Sequence, residues 1–102
     1  MNSNLVNEAV KTWQVADTDV LTDTTKGYSL VVWNDEVNTF EWVIETLVKV
    51  CGHTPEQAEQ CALFIHTQGK YAVKKDEYTI LKPMCDAITD RGIGATIEIT
   101  TT

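Results

Sequence analysis

Basic residues are scarce in this 102-residue chain: eight Lys and Arg stand against fifteen Asp and Glu, a formal net charge of −7. With a sequence pI near 4.6, phosphate backbones and anionic lipid surfaces are poor partners, so neither nucleic acid nor membrane is expected. A partner that is cationic, or has a cationic end, suits the charge. Apolar runs are short. None approaches the ~20 residues that cross a bilayer, and Met1 to Val10 lack the basic start and apolar block of a secretion signal. A cytoplasmic, soluble protein is therefore expected. The three cysteines, Cys51, Cys61 and Cys85, are an odd number without a CxxC pair or a His at ligand spacing, so they read as small core hydrophobes. His53 and His66 are not spaced as a metal-binding pair, and neither a glycine-rich phosphate loop nor a nucleophile elbow occurs. No metal, cofactor or enzymatic activity is expected. What remains, 43% hydrophobic and 23% charged residues, is the composition of one globular domain with a modest core.

Residues 1–26 are rich in Asn, Thr and Asp and keep no regular apolar spacing, which predicts a flexible amino-terminal arm ahead of a folded domain over 27–102. Tyr28 to Trp33 is a β-branched and aromatic run that predicts a strand. Asn38 followed three residues later by Glu41 has the spacing of a capping box. Phe40, Val43, Ile44, Leu47, Val50 and Cys51 then recur at helical spacing up to Gly52. A second helix is signalled by Thr54, Pro55 and Gln57, with Ala58, Cys61, Ala62 and Ile65 on one face and Gly69 at its end. Tyr71 to Lys75 predicts a short strand whose lysines suit an edge. Thr79 to about Arg91 predicts a third helix, with Pro83 in its first turns, and Ala95 to Thr100 alternates as a half-buried strand does. The order β-α-α-β-α-β predicts an α+β, two-layer sandwich: a three-stranded antiparallel sheet packed on three helices.

Asn34, Asp35 and Glu36 fall between the first strand and the first helix, where side chains reach solvent from a rigid base. Local turn and cap chemistry alone can account for such residues. Two longer segments add to them. Trp33-Asn-Asp-Glu-Val-Asn-Thr-Phe-Glu-Trp-Val43 resembles the Asn-Asp-Asp-x-Thr-Pro-Met-Glu-Phe-Val signature of the ClpS adaptors. Ala62-Leu-Phe-Ile-His-Thr-Gln-Gly-Lys70 resembles their second segment, in which a His precedes Gly-Lys, and the separation between the two segments is kept without a gap. Ile93-Gly-Ala-Thr-Ile-Glu98 is similar to the family's last strand, so the resemblance covers roughly Tyr28 to Ile99.

The resemblance implies an adaptor of the bacterial N-degron pathway. Such a protein binds substrates whose amino-terminal residue is Leu, Phe, Tyr or Trp and delivers them, through the N-terminal domain of a Clp-type AAA+ unfoldase, for degradation. It implies that Asn34, Asp35 or Glu36, and His66 receive the α-amino group, because a cation taken out of water needs several charge-assisted hydrogen bonds. It also implies a side-chain pocket formed by Asn38, Phe40, Val43, Ala62 and Ile65, with Ile93, aligned with a family leucine, closing it. Glu36 stands where the family has Asp, Asn38-Thr39-Phe40 stands for Thr-Pro-Met, and Ala62 replaces a bulkier residue. A reshaped pocket that takes aromatic side chains more readily than β-branched ones is expected. The stretch from Tyr71 to Met84, shorter than the family's, leaves Lys74, Lys75, Asp76 and Glu77 as candidates for unfoldase docking or as a solvated charge cluster. Two other readings fit parts of the sequence: a ribosomal-stalk-type interaction module, and an enzyme pairing His66 with Asp35 or Glu36 as acid and base.

Overall fold

Four of the six residues of β1 (Tyr28–Trp33) are buried, as a β-branched strand covered on both faces should be. In the computed structural model, which describes residues 27–100, β1 is the middle strand of a sheet ordered β2-β1-β3. Its neighbours β2 (Lys70–Asp76) and β3 (Ala95–Ile99) both pair with it antiparallel. Helices α1 (Phe40–Cys51) and α2 (Pro55–Gln68) separate β1 from β2, and α3 (Tyr78–Asp90) separates β2 from β3. This is the expected α+β order and the expected antiparallel sheet. The arm expected over 1–26 lies outside the described residues.

Alternation along β1 divides the sheet into two faces. Leu30 and Val32 enter a core with Leu47 of α1, Ala58 and Ile65 of α2, and Leu81 and Ile88 of α3. Ser29 and Val31 face the other way. They are nevertheless buried. On that face Lys70 is paired across the sheet with Trp33, and Glu98 with Ser29. The Lys70–Glu98 ion pair, 3.6 Å long, therefore runs diagonally over the central strand at Val31. The β2 pairing slips between Leu30 and Val31, leaving Val73 as a bulged residue whose side chain is in the core. Its carbonyl accepts a hydrogen bond from His53 Nε2–H at 2.8 Å, which ties the α1–α2 connection to the sheet.

Helix ends follow the sequence with two shifts. The box on α2 forms as expected: Thr54 Oγ1 accepts from Gln57 N–H at 3.1 Å and Gln57 Oε1 from Thr54 N–H at 3.0 Å. On α1 the cap is Thr39, whose Oγ1 accepts from Trp42 N–H at 3.0 Å. The expected Asn38–Glu41 box does not form, because the Asn38 amide is drawn elsewhere. Helix α3 begins at Tyr78 rather than Thr79. Pro83 lies in its second turn, on an exposed face where the carbonyl left without an amide partner can meet water.

All three thiols are buried. Burial pushes each upward in pKa, Cys51 to about 11. Such thiols are neutral at physiological pH, and they serve as the core hydrophobes expected.

Candidate functional site

Two backbone hydrogen bonds fix the point where β1 opens into a loop. Trp33 N–H donates to Gly94 O and Asn34 N–H to Gly69 O, each at 2.9 Å. The second of these joins the loop to the end of α2. Gly69 is the α2 C-cap, in the left-handed conformation at φ 89°, and its N–H returns to Ile65 O at 3.0 Å. The carboxyl-terminal turn of α2, carrying Ile65 and His66, is thereby held beside Asn34. No atom lies within 4 Å of where a Gly69 side chain would start. Gly69→Ala therefore meets no steric wall and costs only the left-handed strain, about 1 kcal/mol. For a domain of this size a Tm lowered by about 4–8 °C is expected in calorimetry; an unchanged Tm would show that the capping geometry does not matter.

The loop itself is folded by Asp35. Its Oδ1 accepts from Val37 N–H at 2.9 Å and from Asn38 N–H at 2.8 Å, while Oδ2 accepts from Asn38 Nδ2 at 2.7 Å. The hydrogen bonds from Asn38, backbone first, lower the Asp35 pKa, so the clamp is fully charged at neutral pH and is lost only on acidification through that lowered value. Asn38 Nδ2 also donates to Gly92 O at 2.9 Å, fastening the loop to the turn after α3. That turn is braced in its own right. Trp42 Nε1–H donates to Arg91 O at 3.0 Å, the Arg91 guanidinium lies 4.1 Å from the Trp42 ring centre, and Arg91 Nε–H donates to the buried Thr46 Oγ1 at 2.7 Å.

Between this loop, the first turns of α1 and the last turns of α2 lies a cleft of about 400 Å³. Its polar end is made by Asn34, Asp35, Glu36 and His66, and its apolar part by Phe40, Val43, Ala62 and Ile65. The two parts differ in exposure. Ala62 and Ile65 are each 3% exposed and form a dry floor, whereas Asn34, Glu36 and His66 are exposed at the rim. No hydrogen bond or ion pair to another described residue engages the side chains of Asn34, Glu36 or His66. Asp35 differs, since both its oxygens are taken up within the loop. Asn38 lines the cleft with its amide already committed to Asp35 and Gly92. Ile93 does not line it. The turn after Gly92, at φ 85°, sends the Ile93 side chain into the core, where it is 3% exposed. Trp33 and Thr39 also line it, although in the sequence they read only as a strand end and a residue of the loop before α1. Among the described residues no group of three His, Cys, Asp or Glu side chains stands together as a metal site, and no helix is long and apolar enough to cross a membrane.

Fold and cleft describe a small α+β binding module. The model of the family described as the ATP-dependent Clp protease adaptor protein ClpS matches residues 23–97, more than half of the chain, and the protein belongs to the ClpS family. A curated relative, the ATP-dependent Clp protease adapter protein ClpS of Corynebacterium aurimucosum, is 26% identical over 85 residues, covering 83% of this chain and 77% of the relative. Among solved structures, that of Agrobacterium tumefaciens ClpS2 bound to L-phenylalaninamide superposes with a TM-score of 0.64 at 22% identity. It covers 74% of this chain and 98% of the other, and at that identity it shows a shared fold. The ribosomal-stalk-type reading gives way to this membership.

Proposed function

We infer that the cleft captures the free amino terminus of proteins beginning with Leu, Phe, Tyr or Trp and that the protein delivers them to a Clp-type AAA+ unfoldase. The observation that carries this reading is the joining, in one cleft, of exposed acceptors at Asn34, Glu36 and His66 with a dry apolar floor at Ala62 and Ile65. An α-ammonium group has three N–H donors. An amide oxygen, a carboxylate and a neutral imidazole nitrogen can receive them, while the adjoining side chain leaves water against the floor. Where the sequence left Asp35 and Glu36 as alternatives, the hydrogen bonds support a division of labour: Asp35 folds the loop and Glu36 faces the ligand. The phenylalaninamide bound to the Agrobacterium relative, a free amine beside an aromatic side chain, is a ligand of the same chemistry. Family membership supports the handover to the N-terminal domain of a Clp unfoldase and, with it, a cytoplasmic site of action. On this reading the protein binds and delivers and catalyses nothing itself.

A panel of peptides that differ only at the first residue tests the pocket. Phe40 is 38% exposed at the cleft wall, and the residue lining the α2 side, Ala62, is small. A flat ring fits such a slot better than a branch at Cβ, so Phe and Trp should bind about three- to tenfold tighter than Ile in calorimetric titration. Equal binding of Ile would count against this pocket shape.

A further inference from the structure

One cation is bound into the fold without lining the cleft. The Arg91 side chain is only 23% exposed, and the residue is joined to α1 through both its side chain and its backbone. Its Nε–H donates to the buried Thr46 Oγ1 at 2.7 Å, and Thr46 Oγ1–H donates in turn to Trp42 O at 2.8 Å. The Arg91 carbonyl accepts from Trp42 Nε1–H at 3.0 Å, and the guanidinium lies over the Trp42 ring. These contacts close a ring through Trp42, Thr46 and Arg91, which fixes Arg91 in place and in direction. Arginine suits the task because its plane stacks on an indole while its edge donates. The more exposed pairing with Glu45, at 3.4 Å, adds little.

Resting on the reading of the cleft as an amino-terminus binder, we propose that Arg91 is a positioning residue for that site, acting through Gly92 and Asn38. Gly92, at φ 85°, is the most pliable point of the turn after α3. What defines where its carbonyl lies is the bracing on either side: Arg91 clipped to α1 before it, and Ile93 N–H bonded to Ile88 O at 3.3 Å after it. Gly92 O then takes one amide hydrogen of Asn38 at 2.9 Å, while Asp35 Oδ2 takes the other at 2.7 Å. Both donors of the Asn38 side chain are thereby used. Without Gly92 O in place that side chain is released, and Asn competes at least as well as Thr for the start of a helix. A shifted start of α1 moves the loop that carries Asn34 and Glu36 to the rim.

The test uses the full chain and a Phe-initiated peptide of otherwise uncharged sequence, titrated by calorimetry. Arg91→Met keeps an apolar stem beside Trp42 and removes the donors and the charge, and affinity should fall about three- to tenfold. In an Asn38→Ala chain, where the link to Gly92 O is already cut, adding Arg91→Met should change affinity by less than about twofold, although it lowers Tm in both backgrounds. A residue that serves stability alone would not make its effect on affinity depend on Asn38. The side-chain amide resonances of Asn38 give a second reading, and they should move in Arg91→Met. Should Arg91→Met not fold, Thr46→Val, which is close in shape and removes the acceptor of Arg91 Nε–H, takes its place in both measurements. Unaltered affinity in the variant, an equal loss with and without Asn38, or Asn38 amide resonances that stay where they are would overturn the role. If the free peptide binds the unmodified chain no better than its acetylated twin, the amino-terminus reading itself fails and the positioning role falls with it. That outcome is read before any variant is made, so the two failures are told apart.

Discussion

Asn34→Ala and His66→Ala should each weaken binding of a Phe-initiated peptide by about tenfold to a hundredfold, with little change in Tm. The size follows from what each removes. A hydrogen bond to a charged partner contributes about 1.5–3 kcal/mol, and each 1.4 kcal/mol is a factor of about ten in affinity. Stability should be spared because both side chains are exposed and neither is bonded to another described residue. Asn34 keeps its backbone bond to Gly69 O in the variant, so the strand-to-loop junction survives. Titration calorimetry of the two variants beside the unmodified chain, with melting curves of all three, checks the prediction. Affinity that is unaltered in both would remove these residues from the site. A Tm that falls in parallel with affinity would mean that they act on the fold rather than on the ligand.

The same logic separates Asp35 from its neighbours. Its carboxylate accepts three N–H groups of its own loop, so under the proposed function it would act on a ligand by shaping the rim and by its fixed charge. Asn38 acts as the second pin, through Gly92 O. The site is therefore a rigid lip, fastened to α2 through Gly69 and to the turn after α3 through Gly92, over a floor supplied by α2. Under the proposed function, little of this frame would have to be ordered at the moment of binding, which would leave more of the contact energy for affinity.

Much of this frame is legible in the sequence where the signal is local. The strand at Tyr28–Trp33, the helical apolar spacing from Phe40 to Cys51, the reciprocal cap at Thr54 and Gln57 and the alternation in β3 each depend on neighbours a few residues away, and each lies where expected. The misses are set by distant partners. Asn38 and Thr39 are both competent caps. Thr39 takes the role because the Asn38 amide is claimed by Gly92, 54 residues further on. Ile93 is expected at the pocket only from the family resemblance, and the turn at Gly92 delivers it to the core. Trp33 reads as the last residue of a strand. Its indole is held on the outer face of the sheet by Thr96 and Lys70, brought beside it only by the sheet order β2-β1-β3. The sequence leaves Asp35 and Glu36 as alternatives for a related reason, since either carboxylate fits the motif and only the loop's hydrogen bonds distinguish them.

The second large effect concerns the ligand rather than the protein. Acetylating the amino terminus of a Phe-initiated peptide removes the positive charge and all but one of the N–H donors, and leaves acceptors at the polar end of the cleft facing an amide they cannot all use. With at least two charge-assisted hydrogen bonds forgone at about 1.5–3 kcal/mol each, affinity should fall by roughly two orders of magnitude or more, and the acidic rim, which favours the cation, should add to the difference at low salt. Titrating the free peptide and its acetylated twin into the full chain is the most direct measurement of whether this cleft recognises chain beginnings. The account predicts tight binding of the first and near-complete loss with the second; equal affinity for the two would contradict it.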